Sequence, residues 1–251
     1  LNWYKSWSTQ NKISLQINPS TTLKLNTVIN SRAGQDYNHS LQFLDKAQLT
    51  NYDRGQLYIL SLSHSLSSKS FFQINFSSFN KKFESNLFQD PQDNRYATPD
   101  SLYWINTQGI VPEHIIDLYG EDVKFFPPYS LYKAGVDNRR FERETNTHTI
   151  KADYTSQINK YNQIKFGFDY TEVDLQLDSY SILDSVQTDQ VYTPFIPEVG
   201  SISRTNYKRT PKEIAVYTQD KIEYGDMIIN LGMRYEEFHP NSKTPMNIHE
   251  P

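Results

Sequence analysis

The feature that most constrains this chain is a period of two in hydrophobicity that returns in eight segments, joined by connections that are alternately short and long. Ile13, Leu15 and Ile17 alternate with Ser14, Gln16 and Asn18; after Asn18-Pro19-Ser20, Leu23, Leu25, Thr27 and Ile29 alternate again. Successive side chains of a strand point to opposite faces, so each run sorts apolar from polar residues across a sheet. Two such runs around a short break read as a hairpin.

The pattern recurs three times. Tyr58, Leu60, Leu62, His64 and Leu66 lead through Ser67-Ser68-Lys69 to Phe72, Ile74 and Phe76. Ile150, Ala152, Tyr154, Ser156 and Ile158 lead through Asn159-Lys160-Tyr161 to Ile164, Phe166, Phe168 and Tyr170. That return strand continues through Val173, Leu175 and Leu177 with its phase shifted by one, which predicts a β-bulge. Ile214, Val216, Thr218 and Ile222 lead through Tyr224-Gly225-Asp226 to Ile229, Leu231, Met233 and Tyr235. No long window keeps the i, i+3, i+4, i+7 spacing of an amphipathic helix, although residues 113–119 could form one or two helical turns. The expected class is all-β, with about eight antiparallel strands.

The connections carry as much information. Short turns near 18–20, 67–69, 159–161 and 224–226 alternate with long stretches at about 31–53, 85–146 and 178–210. Structureless loops of that length are uncommon in a compact domain. A transmembrane barrel makes them routine, with short periplasmic turns on one rim and long extracellular loops on the other. Strands of about ten residues with one apolar and one polar face fit the same architecture, lipid outside and water inside. This resolves the composition of the 251 residues: 37% hydrophobic but 14% aromatic, at a mean hydropathy of −0.70. The alternative is a soluble antiparallel sheet with one wet face.

Several classes fall away. The longest apolar runs, such as Met227-Ile228-Ile229, are far short of the ~20 residues a membrane helix needs. A chain with no cysteine has no disulfide framework and no thiolate chemistry. A net charge of −4 without a dense basic run argues against nucleic-acid binding. The chain starts at Leu1 with no leader pattern, and is read as a fragment or mature segment.

The segment from Tyr207 to Asn241 resembles a barrel hairpin of TonB-dependent outer-membrane receptors. The resemblance rests on Ala215-Val216-Tyr217-Thr218-Gln219-Asp220 in one strand, Gly225-Asp226 at the turn, and Leu231-Gly232-Met233-Arg234-Tyr235 in the next, before Phe238-His239-Pro240-Asn241. The segments Thr147 to Tyr170 and Tyr58 to Phe79 look like further strands of the same family. The resemblance implies part of a plugged, 22-stranded barrel in the outer membrane of a Gram-negative bacterium, with residues 1–251 belonging to one barrel domain. It also implies partners: outer-membrane lipid, a bulky extracellular ligand such as a siderophore or glycan, and the TonB energy-coupling complex, reached through a plug that lies outside this chain. Two other readings stay open, a plugless porin or adhesion barrel and a soluble β-rich carbohydrate-binding module.

Candidate chemistry is sparse. Asp90, Asp93 and Asn94 could offer oxygen ligands to Ca²⁺, but the EF-hand pattern is broken by Pro91. Asp169, Glu172, Asp174 and Asp178 could supply a carboxylate pair for glycoside chemistry. The six histidines are scattered without metal-ligand spacing, no nucleophile or phosphate-binding motif is present, and no enzyme activity, metal or cofactor is expected. The candidate ligand contacts are loop aromatics with polar tips or broad rings, Tyr103, Trp104, Tyr129 and Tyr132. Lys165, Gln219, Lys221 and Arg234 alternate with apolar neighbours and are expected to face the lumen, because Arg234 against lipid would cost roughly 2 to 4 kcal/mol at the bilayer midplane. Trp3, Tyr4, Trp7, Tyr58, Tyr154, Tyr170, Tyr217 and Tyr235 are candidates for an aromatic girdle.

Overall fold

The computed structural model describes residues 2–41, 44–97, 136–186 and 192–242. Tyr103, Trp104, Tyr129, Tyr132 and the candidate helical turns at 113–119 lie outside them. The described residues form eleven strands: β1 (Trp3–Asn18), β2 (Thr21–Gln35), β3 (Thr50–Ser67), β4 (Ser70–Asn86), β5 (Arg139–Gln157), β6 (Asn162–Ser181), β7 (Leu183–Val186), β8 (Tyr192–Phe195), β9 (Arg204–Arg209), β10 (Lys212–Tyr224) and β11 (Met227–His239). One antiparallel sheet runs β1-β2-β3-β4-β5-β6-β10-β11, with β9 pairing β6 just above β10, so eight strand positions are filled in chain order. A separate hairpin pairs β7 with β8.

Each pair along the sheet is an up-and-down neighbour. The four expected short turns are there, between β1 and β2, β3 and β4, β5 and β6, and β10 and β11. Gly225 sits in the last of them at φ 59°, a left-handed conformation that glycine adopts without steric cost. The long connections are on the opposite rim, but they are shorter than the hydropathy pattern suggests. The strands run well past their apolar segments, and β4 reaches Asn86 while β5 already begins at Arg139. Three short 3-10 turns, at His39–Leu41, Asp45–Ala47 and Asn94–Tyr96, lie in these connections.

The predicted bulge in β6 is absent. Its ladder with β5 holds one register from Arg139↔Ser181 to Gln157↔Gln163. The phase shift read in the sequence is therefore a change in which face is apolar, with the backbone left regular. Irregularities occur instead beside the turns, between Gln16 and Asn18 and between Ser65 and Ser67.

The sheet is a single layer, in which the main packing of each long strand is against its ladder neighbours. One face presents Leu23 and Leu25, Leu60 and Leu62, Ile74 and Phe76, Phe166 and Phe168, Val216, Leu231 and Met233 along successive strands. Many of these are bare: Leu231 is 60% exposed and Met233 78%. The buried apolar residues among those described are Leu41, Ala47, Tyr96, Ala97, Ile182 and Ala215, and all but Ala215 belong to connections on the long-loop rim. A water-soluble domain of this size buries a shared core. Here apolar side chains exposed on successive strands form an open face instead, of a kind that soluble monomers rarely leave uncovered.

Candidate functional site

The polar face is organised around Tyr217. Registration of β5, β6, β10 and β11 sets Asp153, Gly167, Tyr217 and Arg234 in one cross-strand row. A Cβ at Gly167 would overlap the Tyr217 ring, so glycine at this position is what lets the ring lie flat across β6. Its hydroxyl then donates to the Asp153 carboxylate.

Charges frame that ring. The ammonium groups of Lys151 and Lys165 are each 5.5 Å from its centroid and the Arg234 guanidinium is 5.8 Å away, within cation–π reach. Lys165 pairs with Asp153 at 3.3 Å and Lys151 with Asp169 at 3.5 Å. Arg234 reaches Asp169 at 2.9 Å and Glu236 at 3.1 Å. A network of this kind holds long side chains in fixed places, which an isolated exposed pair does poorly.

Lys165, Gln219 and Arg234 thus line one open hollow of about 550 Å³, together with Lys151, Tyr217 and Gly232. Lys221 shares their face but stands apart, towards the short-turn rim, paired with Glu223. Sequence pattern assigned the face of these four; Tyr217, Gly167 and Asp153 were missed as the organising group. The available signal was a glycine inside each of two apolar-alternating strands, but which ring covers Gly167 depends on a register that no local pattern states.

Other candidates come apart. Asp169 is on the polar face, whereas Glu172, Asp174 and Asp178 are on the other face, paired with Lys212 at 3.3 Å, Lys208 at 2.9 Å and Arg204 at 2.8 Å. These carboxylates serve ion pairs and do not form an acid–base couple. Asp93 accepts from the Arg95 backbone at 3.0 Å and from its guanidinium, and Asp90 accepts from the Gln92 backbone, so both hold the turn around 90–96. The Arg95 guanidinium and, next, its backbone N–H hold the Asp93 carboxyl down at about 2. No group of three or more metal-ligating side chains converges among the described residues. Of the girdle candidates, Tyr4 and Tyr217 stand on the polar face, Tyr4 lying over Gly34, and the other six are on the apolar-face side.

Above the apolar band, the two faces exchange character. On β6, Ile164, Phe166, Phe168 and Tyr170 are followed on the same face by Glu172, Asp174, Gln176 and Asp178, while the opposite face changes from Lys165 and Asp169 to Val173, Leu175 and Leu177. On β4, Phe72, Ile74 and Phe76 give way to Asn80, Lys82 and Glu84, and Phe79 and Phe83 enter the other face. Lys82 bridges Glu142 at 2.7 Å and Glu84 at 3.2 Å, and Arg54 joins Glu84 at 3.2 Å. The buried Tyr96 hydroxyl donates to the Phe88 carbonyl at 3.1 Å, and Arg140 donates to the carbonyls of Phe88 and Gln89. These bonds fasten the 87–97 segment against the strand extensions.

No protein-family model and no curated protein matches the sequence. Solved structures do. The chain is similar to the outer-membrane transporter YddB from Escherichia coli, at a TM-score of 0.60 and 10% identity, covering 94% of this chain and 28% of that one. It is also similar to FpvA of P. aeruginosa, solved in complex with an iron-loaded heterologous pyoverdine, at a TM-score of 0.54 and 10% identity, covering 94% of this chain and 30% of that one. The chain spans less than a third of either. Its open, up-and-down sheet with short turns on one rim and long connections on the other has the fold of a segment of these outer-membrane β-barrels.

Proposed function

We propose that this chain is part of the barrel wall of an outer-membrane, TonB-dependent transporter that takes up a bulky nutrient from outside a Gram-negative cell. The observation that carries the reading is the single-layer sheet with an uncovered apolar face. Each of its large side chains gains roughly 1.5 to 3 kcal/mol on leaving water, and lipid supplies that environment without a second protein layer. From Met227 to Tyr235 the apolar row of β11 spans about 26 Å along the strand at ~3.3 Å per residue, which suits a tilted strand crossing an apolar band about 25 Å tall.

In this reading the polar face, with Lys165, Gln219, Lys221 and Arg234, lines the lumen, and the ion-paired strand extensions rise from the outer leaflet. The rest of the barrel joins the open edges at β1 and β11, because unpaired strand edges are not tolerated in hydrocarbon. Loop aromatics, Tyr103, Trp104, Tyr129 and Tyr132 among them, contact the ligand. A plug in another part of the protein couples the lumen to TonB. The reading includes no catalysis, resident cofactor or nucleic-acid partner.

The test is fractionation and cross-linking of the native protein that carries this chain. The expected result is recovery in the outer membrane, faster migration on gels when unboiled, and a cross-link to the periplasmic domain of TonB. A protein recovered folded in the soluble fraction sinks the barrel, and an outer-membrane protein that never cross-links to TonB leaves a passive porin or adhesion barrel.

A further inference from the structure

The apolar face of the sheet changes character at its first two strands. Counting from the short turns puts residues of different strands at comparable depth, because the strands of a barrel share one tilt. Six or seven residues from its turn, β3 presents Leu60 on that face, β4 Phe76, β5 Ile150, β6 Phe168 and β11 Met233. β10 has a lone Thr218 there, set between Phe166 and Met233. On β1 and β2 the same depth is held by Asn11 and Thr27, directly opposite each other, with Thr9 next along the face. Apolar surface resumes beyond them at Ile29 and Trp7, as it does below them at Ile13 and Leu25. At ~3.3 Å per residue and a tilt of about 40°, seven residues rise about 18 Å above the turn. That is the outer half of an apolar band about 25 Å tall.

The hydrogen bonds of this polar notch do not close within the chain. The Asn11 amide nitrogen donates to Thr27 Oγ1 at 3.3 Å and to Thr9 Oγ1 at 3.5 Å, both long. Its amide oxygen accepts no hydrogen bond among the described residues, and the side chain is exposed. On a water-facing surface, solvent would satisfy that oxygen. Lipid tails do not, and a polar group facing hydrocarbon is costly until another protein group meets it. The group that covers Asn11 therefore brings a donor into the membrane.

We propose that the notch formed by Asn11, Thr9 and Thr27 is the contact through which two copies of this barrel associate side by side, about a two-fold axis passing beside Asn11. The chemistry of the amide selects the occupant. A primary amide carries both N–H donors and a carbonyl acceptor, so it is complementary to itself, and a two-fold interface sets one patch against its own copy. None of the three side chains is charged, so the copies meet there without like-charge repulsion. Ile13 and Trp7, 62% and 54% exposed, supply apolar contact on either side of the polar centre. The proposal rests on the transporter reading, which turns this face towards lipid.

Analytical ultracentrifugation of the native full-length protein in detergent, with cross-linking in intact outer membranes, tests it. The expected result is a reversible dimer that Asn11→Leu weakens at least about tenfold, through loss of the hydrogen bonds across the axis, and that Asn11→Gln retains in part. The same Asn11→Leu change should leave the urea midpoint of the refolded monomer unchanged or raised, since it takes an unmatched amide out of lipid. In membranes, Asn11→Cys, in a chain without cysteine, is expected to join two copies through a short bis-maleimide, whereas Ile150→Cys, equally far from its own turn, is not. Each variant is first checked for gel mobility before and after boiling. Protein that stays monomeric at every concentration, a dimer indifferent to Asn11→Leu, or capture of a different protein at position 11 overturns the proposal. So does a lowered monomer midpoint for Asn11→Leu, which would assign the missing donor to the next strand of the same barrel. An outer-membrane barrel that is monomeric fails this inference alone, whereas a protein recovered folded in the soluble fraction fails the reading beneath it.

Discussion

The lower and upper halves of β6 share one ladder and one register, yet opposite faces are apolar in them. From Asn162 to Tyr170 the rings of Phe166 and Phe168 are on one face and Lys165 and Asp169 on the other; from Thr171 to Ser181 the same ladder shows Glu172, Asp174 and Asp178 on the first face and Val173, Leu175 and Leu177 on the second. A strand cannot rotate midway without breaking its hydrogen bonds, so what changes is the surroundings and not the backbone. The switch falls at Tyr170 on β6 and after Phe76 on β4, marking an edge of the apolar band across neighbouring strands. In the transporter reading, one face meets lipid below this edge; above it that face meets water and carries ion pairs, and the lumenal face gains apolar surface for contacts of its own.

The sharpest way to break this comparison is to move one charge between faces in the lower half. Phe168→Arg, on the apolar face, is expected to lower the stability of the refolded barrel by about 2 to 4 kcal/mol, the cost of an arginine near the midplane. Gln73→Arg, at similar depth on the polar face of β4, is expected to change it by under ~0.5 kcal/mol. Urea refolding into lipid vesicles reads both, and equal losses would remove the distinction between faces.

Gly167→Val asks how much the polar face depends on its centre. The new side chain collides with the Tyr217 ring and displaces its hydroxyl from Asp153, at an expected cost of about 1 to 3 kcal/mol. Tyr217→Ala combined with Gly167→Val should cost less than the two changes added, because one clash and one bond are shared. Strict additivity would show that ring and glycine are independent.

In the upper half, Arg204→Ala removes a two-pronged pair with Asp178 and a bond to the Pro197 carbonyl. A loss of about 1 kcal/mol is expected, the upper part of the range for pairs near a surface, with faster amide exchange in β9 while the lower part of β10 stays protected. Exchange that quickens evenly along both strands would contradict a separate, ion-paired upper half.

The smallest effect concerns pH. Asp93 titrates at about 2, held down by Arg95, against 3.8 for an unhindered side chain. The sign follows: a depressed carboxyl stabilises its turn above pH ~3.8, and this is lost as pH falls through about 2. Carbon-detected NMR of Asp93 should show that midpoint, and Arg95→Ala should return it towards the ordinary value. A midpoint that ignores Arg95 would assign the shift to another cause.

Much of the fold was legible locally. The four hairpins and the side on which Lys165, Gln219, Lys221 and Arg234 stand all follow from alternation, since a period of two fixes the face of a side chain once a segment is a strand. Alternation failed where its assumption of one environment failed. Val173, Leu175 and Leu177 read as a bulge because the pattern presumes that the apolar face is the same along the whole strand. For the same reason the upper strand extensions were read as loops, since Glu142, Glu144 and Asp178 show no apolar period to announce them.

The sequence by itself determined strands, turns and faces, because these depend on backbone geometry and on residues two or three positions apart. Only the tertiary structure decided that Tyr217 covers Gly167 and that Asp153 and Asp169 share the cations of three strands. Those contacts join residues up to 65 positions apart in the chain, and they exist only once the hydrogen-bond register of several strands has set which side chains stand opposite one another.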